Sequence, residues 1–148
     1  MKMKEMEYKC ESVAEVLYEG KYHGYHFVIV SYGFHPCAYV EVPKSHPWYG
    51  RNYSNDDILN NVNVHGGLTW GDDLEHVLGE RGKNRWFLGW DYAHAGDFEG
   101  YYLSKIFKPK TVEPFLNDKK WTTAEIYKEV KSVIRQIEGY NVSDKENN

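Results

Sequence analysis

Asp91, His94 and Asp97 stand within seven residues at the exit of RWFLGW (85–90), separated by small Ala93, Ala95 and Gly96. Three chemistries use such a set. A metal site would take His94, Asp91, Asp97 and His65 as mixed nitrogen and oxygen ligands, although the spacing matches no strong metal motif. Acid–base catalysis would use His94 as the base and a carboxylate to orient it, but no G-x-S-x-G elbow supplies a nucleophile. Ligand recognition would use aspartates as acceptors for hydroxyls or an amide, with Trp and Tyr stacking on a planar ring. The plainer alternative is a polar turn, capped by Asp91, with His94 satisfied inside it.

VNVHGGLTW (62–70) is the second candidate. Gly66 and Gly67 would let backbone approach a ligand closely and turn N–H groups toward an anion. His65 precedes the pair, and Thr69 and Trp70 follow it; a hairpin turn with a core histidine is the alternative. The loop 43–57 carries His46, Trp48, Tyr49, Arg51 and Tyr53, a set suited to a planar, charged ligand, and loops of this length are often functional or lid-like. Arg81, Lys83 and Arg85 lie between the two motifs as phosphate partners or as a solvated face. His23 and His26 read as surface positions, and a reactive Cys37 would need a positive neighbour that the sequence does not place.

These residues need elements to position them. YHFVIVSY (25–32) and CAYVEV (37–42) read as a central strand and its hairpin partner joined by GFHP. RWFLGW (85–90) is a further strand, NVNV (61–64) a short one, and residues 5–18 lean toward a strand pair. GKYHG (20–24) reads as a turn, and residues 71–84 hold one or two helical turns. Residues 98–120 look irregular, with Pro109 and Pro114 as breakers. Thr122 and Glu125 form a capping box, Trp121 and Ile126 a hydrophobic staple, and Ile126, Val130, Val133, Ile134 and Ile137 one apolar stripe. Gly139 is a natural stop. The expected fold is α+β: one domain over 1–140, an antiparallel sheet of about five strands with the 122–138 helix packed on one face, and a polar tail over 141–148.

Composition narrows the function. The 148 residues are 41% hydrophobic and 16% aromatic, which suits one core and argues against disorder. A net charge of −4 with scattered signs is not the basic stripe that duplex nucleic acid requires. Cys10 and Cys37 are too few for a disulfide framework and are expected as free, part-buried thiols. The N-terminus lacks the apolar region of a signal peptide, and no run approaches the ~20 apolar residues of a membrane helix, so a cytoplasmic protein without a membrane partner is expected.

The ordered set GYHFVIVSYGFHPCAYVEVPKSHPWYG, VNVHGGLTW, WFLGWDYAHAGD and WTTAEIYKEVKSVIRQI resembles a family of small bacteriophage and prophage proteins. Typical members carry G-x-P-C-[AG]-Y-V, H-P-x-Y-G, V-H-G-G-L-T and G-[FW]-D-x-A-H-A-G-D. The similarity spans roughly residues 24–138 and places the shared motifs on His46, Pro47, Tyr49 and Gly50, on His65–Thr69, and on Asp91 and Ala93–Asp97. Tyr92 departs from it, since a cysteine is frequent there. A phage origin implies an accessory protein acting in the host bacterial cytoplasm, and such proteins often counter host defence.

The implied function is to bind and sequester a nucleotide-derived immune signal of systems such as Thoeris and CBASS. The ligand would be an ADP-ribose derivative or a cyclic nucleotide. Trp48, Tyr49, Trp70 and Trp90 would stack on it. His65, Gly66, Gly67, Thr69, Asp91, His94 and Asp97 would read its polar groups, and Arg51 or Arg85 would meet phosphate. No cofactor or metal is expected, and self-association is left open. The alternatives are a hydrolase, metal-dependent or using His65, Asp91, His94 and Asp97, and an inhibitor that docks its 46–53 loop on a host protein.

Overall fold

The computed structural model describes residues 1–9, 11–99 and 118–147. Its β-branched and aromatic runs form the strands, as residues that fit a pleated surface should. These are β1 (Glu15–Tyr22), β2 (Tyr25–Ser31), β3 (Pro36–Val42), β4 (Trp70–Asp72) and β5 (Trp86–Asp91). They make one five-stranded antiparallel sheet in the order β1-β2-β3-β5-β4. Among the described residues the α-helices are α1 (Asp57–Asn60), α2 (Glu75–Leu78) and the long α3 (Thr123–Asn147). The architecture is α+β, with α3 packed on the sheet as its apolar stripe requires.

The sheet is buried on both faces, which explains the uninterrupted run Phe27–Val30 in β2. On one face Phe27, Ile29, Ala38, Val40, Leu88 and Trp90 meet Ile126, Val130, Val133, Ile134 and Ile137 of α3. Each large aliphatic side chain so buried contributes about 1.5–3 kcal/mol. On the other face Val28, Val30, Cys37, Tyr39 and Phe87 pack against Leu74 and Leu78 around α2. The helix begins with the reciprocal capping bonds the sequence specifies. The Thr122 N–H donates to Glu125 Oε1 (3.0 Å) and the Glu125 N–H to Thr122 Oγ1 (3.2 Å).

Several local expectations differ from the structure. Only Glu15–Tyr22 of the N-terminal stretch is a strand; residues 1–9 are not. They are tied to the sheet by single bonds, from the Lys4 N–H to the Leu17 carbonyl (2.8 Å) and from the Lys9 N–H to the Gly33 carbonyl (2.9 Å). The β1–β2 turn narrows to His23 and Gly24, because Gly20 stays in the ladder opposite Phe27. NVNV is not a strand: Gln136 of α3 takes the place of a strand neighbour, accepting from the Asn63 N–H and donating to the Asn63 carbonyl, both at 2.8 Å. Gly139 does not end α3, which runs on to Asn147. One glycine costs about 1 kcal/mol in a helix, and no proline follows to stop the chain.

The 43–57 loop is not a free lid. His46 and Trp48 are buried. His46 donates from Nε2 to the Ile137 carbonyl (2.8 Å) and accepts the Trp48 N–H at Nδ1 (3.0 Å), so the loop plugs the side of α3. Of the two thiols, Cys10 lies outside the described residues. Cys37 is free and buried, and burial pushes its thiol well above the ordinary range, with Asp91 adding to the effect. Pro109 and Pro114 also fall outside the described residues. No helix among the described residues is long and apolar enough to cross a membrane.

Candidate functional site

Both signature segments are tight turns with glycine at the third position, where a positive φ is required. In the first, the Gly67 N–H donates to the Val64 carbonyl (3.0 Å) and Gly66 has φ +70°. In the second, the Asp97 N–H donates to the His94 carbonyl (2.9 Å) and Gly96 has φ +93°. The turns sit against each other: a Cβ added at Gly66 would fall 2.1 Å from His94 Nε2. No side chain larger than hydrogen fits there while the His94 ring keeps its place, so Gly66 is what lets VHGGLT close on DYAHAGD.

Asp97 is the buried centre of the site, 4% exposed. Its carboxylate accepts three bonds: from His65 Nε2 (2.7 Å), from the His94 N–H (3.0 Å) and from Trp121 Nε1 (2.9 Å). A buried carboxylate needs this number of donors to offset its lost hydration. The bond from Nε2 leaves His65 Nδ1 without a partner among the described residues. The His65 ring lies flat on Tyr92 (5.1 Å, 7°) and edge-on to His94 (5.6 Å, 76°), with Trp121 4.8 Å away.

Asp91, the last residue of β5, fixes the other half. It accepts from Thr69 Oγ1 and from the Ala93 N–H, both at 3.2 Å. His94 Nε2 approaches Asp91 Oδ1 to 3.1 Å, close enough for charge attraction. The ring is not aligned for a hydrogen bond, and that buried nitrogen has no hydrogen-bond partner among the described residues. Both imidazoles keep an open side, His65 at 26% and His94 at 35% side-chain exposure. The four groups thus form two His–Asp pairs. Among the described residues no group of three or more His, Cys, Asp or Glu is placed to hold a metal ion.

Glu129 of α3 ties the turns to the core. Its Oε2 accepts the His65 N–H (3.1 Å) and its Oε1 the Tyr92 hydroxyl (2.8 Å). The Tyr92 oxygen in turn accepts from Trp90 Nε1 (2.9 Å). Burial, together with the neighbouring Glu129 and Asp97 charges, raises the Tyr92 phenol far above its ordinary range and keeps it neutral. Tyr8 closes the N-terminal side, donating to the Trp121 carbonyl (3.2 Å), and burial pushes its phenol up to about 12.

The structure brings together His65, Gly66, Thr69, Asp91, His94 and Asp97, with Gly67 in the same turn. It divides the remaining expected residues. Trp90 is 1% exposed beneath the site, so it anchors Tyr92 and presents no ring face to solvent. Trp48 is buried against His46 and Tyr140. Trp70 packs edge-on to Tyr39, with Nε1 donating to the Asp73 carbonyl (3.2 Å). Arg51 pairs with Asp56 (2.9 Å) at the start of α1. Arg85 pairs with Glu41 (3.1 Å) beyond the far end of β5, and Tyr49 is exposed at that same end. The one-pocket arrangement of all thirteen residues therefore does not form.

Sequence reasoning missed Glu129 and gave Trp121 only a staple role. Glu129 carried a signal, since it stands inside the apolar stripe between Ile126 and Val130, where a carboxylate needs a partner. Compared with protein-family models, curated proteins and solved structures, the chain matches none.

Proposed function

We propose that the chain binds a small nucleotide-derived molecule at the His65–His94 centre and holds it unchanged, as a phage protein withholding a host immune signal would. The observation that carries this reading is the pair of imidazoles, edge to face at 5.6 Å and each partly open, with His65 held by Asp97 and His94 lying 3.1 Å from Asp91. Asp97 is occupied by His65, the His94 N–H and Trp121, and Asp91 by Thr69 and the Ala93 N–H, so the rings are the groups left to meet a ligand. No activated nucleophile stands beside them among the described residues: Thr69 donates to Asp91, and the Cys37 thiol is held protonated. The resemblance to phage sequences supplies the ligand class.

Hydrolysis is the second reading, favoured by the His65–Asp97 contact. A buried carboxylate that fixes one imidazole nitrogen and leaves the other open is what a general base needs. Calorimetry with ADP-ribose derivatives and cyclic oligonucleotides tests the first reading, using Asp97→Asn as the comparison. Micromolar binding that weakens at least tenfold in Asp97→Asn supports it. No binding of any of them by the wild type would overturn it, and altered nucleotide after incubation would favour hydrolysis.

A further inference from the structure

A second feature lies at the other end of the sheet. Asp91 and Trp86 bound β5, so the two ends are roughly 17 Å apart along the strand at ~3.3 Å per residue. Past the Trp86 end a hollow of about 970 Å³ opens over β1, β2 and β3. Its volume falls within the roughly 300–1,000 Å³ of small-molecule sites. It shares no lining residue with the His65–Asp97 centre.

The floor of this hollow is a row of alternating charge. His26 on β2 stands between Glu19 on β1 and Glu41 on β3, with Nε2 2.7 Å from Glu19 and Nδ1 3.0 Å from Glu41. Arg81 grips Glu19 with two nitrogens (2.5 and 2.6 Å), and Arg85 holds Glu41 (3.1 Å). The carboxylates thus orient both guanidiniums. Lys21, Lys44 and Lys83 join them at the rim. Lys83 is engaged by Glu75 and Glu80, whereas Lys21 and Lys44 have no ion-pair partner among the described residues. With Lys83 set aside as paired, the four cations Lys21, Lys44, Arg81 and Arg85 stand against the two carboxylates Glu19 and Glu41, which makes a positive hollow on a chain whose net charge is −4. Tyr49, one of the few exposed large hydrophobic residues, and Tyr25 supply ring faces at its edge.

We infer that this hollow binds a small phosphate-bearing molecule with a planar ring, of the nucleoside diphosphate kind. Lys21, Lys44 and the two fixed guanidiniums meet the phosphates, and Tyr49 packs on the ring. Guanidiniums held in place by carboxylates lose little freedom on meeting phosphate, and the two free lysines add charge without breaking an existing pair. The inference does not depend on the function proposed for the His65–His94 centre.

Calorimetry with ADP, pyrophosphate and adenosine tests it on the full chain. ADP and pyrophosphate should bind, adenosine should not, and affinity should fall as salt is raised. Lys21→Glu combined with Lys44→Glu should weaken ADP at least tenfold, with an unchanged unfolding temperature showing that the exposed substitutions leave the fold intact. Tyr49→Ala should weaken ADP severalfold and leave pyrophosphate unaffected. His94→Ala should leave ADP binding in the hollow unchanged, which separates this site from the other. Failure of both ADP and pyrophosphate to bind at millimolar concentration would overturn the inference. So would a charge-reversed double variant that binds ADP like the wild type, or equal binding of adenosine and ADP.

Discussion

Replacing Gly66 and Gly67 by alanine, one at a time, separates backbone strain from contact between the two signature turns. Both glycines have positive φ, +70° and +78°, so each substitution forces a left-handed alanine at about 1–2 kcal/mol. At Gly67 nothing lies within 4 Å of the new Cβ, and the cost ends there. At Gly66 the Cβ would meet three atoms of the His94 ring at 2.1, 2.4 and 2.7 Å, far inside contact distance. The ring is partly exposed and can swing outward, giving up its place beside Asp91 and its edge contact with His65. Expelling it adds about 1–2 kcal/mol through rotamer strain and lost packing. At about 3 °C per kcal/mol for a chain of this size, Gly67→Ala should lower Tm by about 3–6 °C and Gly66→Ala by about 6–12 °C. Urea unfolding gives the same ordering, and imidazole resonances in NMR spectra should shift for His94 and His65 only in Gly66→Ala. Equal destabilisation by the two substitutions, with unchanged His94 resonances in both, would refute the close approach of the turns.

The other outcomes concern the supports of the site and the sheet. Tyr92→Phe removes the oxygen that accepts from Trp90 and donates to Glu129, and leaving the buried Trp90 N–H unpaired should cost about 1–3 kcal/mol in urea unfolding. Arg81 holds the Glu19 carboxyl down to about 2 from its ordinary 4.5. The folded pKa is depressed, so the stability from this pair is full above pH 4.5 and lost as pH falls through about 2. Arg81 is more than half exposed, so solvent screening reduces the effect, and Arg81→Ala should cost about 1–2 kcal/mol at pH 7 and nearly nothing near pH 2. In a Cys10→Ser background, native Cys37 should resist a thiol reagent at pH 8 and react fully in urea, because burial keeps its thiol protonated.

The sheet and its helix were legible in the sequence because their signals are local and strong. The β2 run, the Thr122–Glu125 box and the α3 stripe each state their own environment. NVNV misled because two alternating valines look alike under a helix and in a strand, and only Gln136, more than seventy residues away, decides which. The site was half legible. HGGLT and DYAHAGD show turn-forming glycines beside polar groups, but their contact depends on Gly66 fitting the His94 ring. Trp48 and Trp90, expected to stack on a ligand, are buried, since nothing in a tryptophan's sequence position states whether its face meets solvent or core. Glu129 marked itself as an acid in an apolar stripe, and its partners came from two other segments.

The proposed function requires that the chain hold its ligand without changing it. The direct measurement is mass spectrometry of an ADP-ribose derivative recovered by heat denaturation after prolonged incubation with equimolar protein. The account predicts depletion of the free compound before heating and full recovery at its original mass afterwards. Recovery as a hydrolysed or rearranged product, or no depletion before heating, would contradict it.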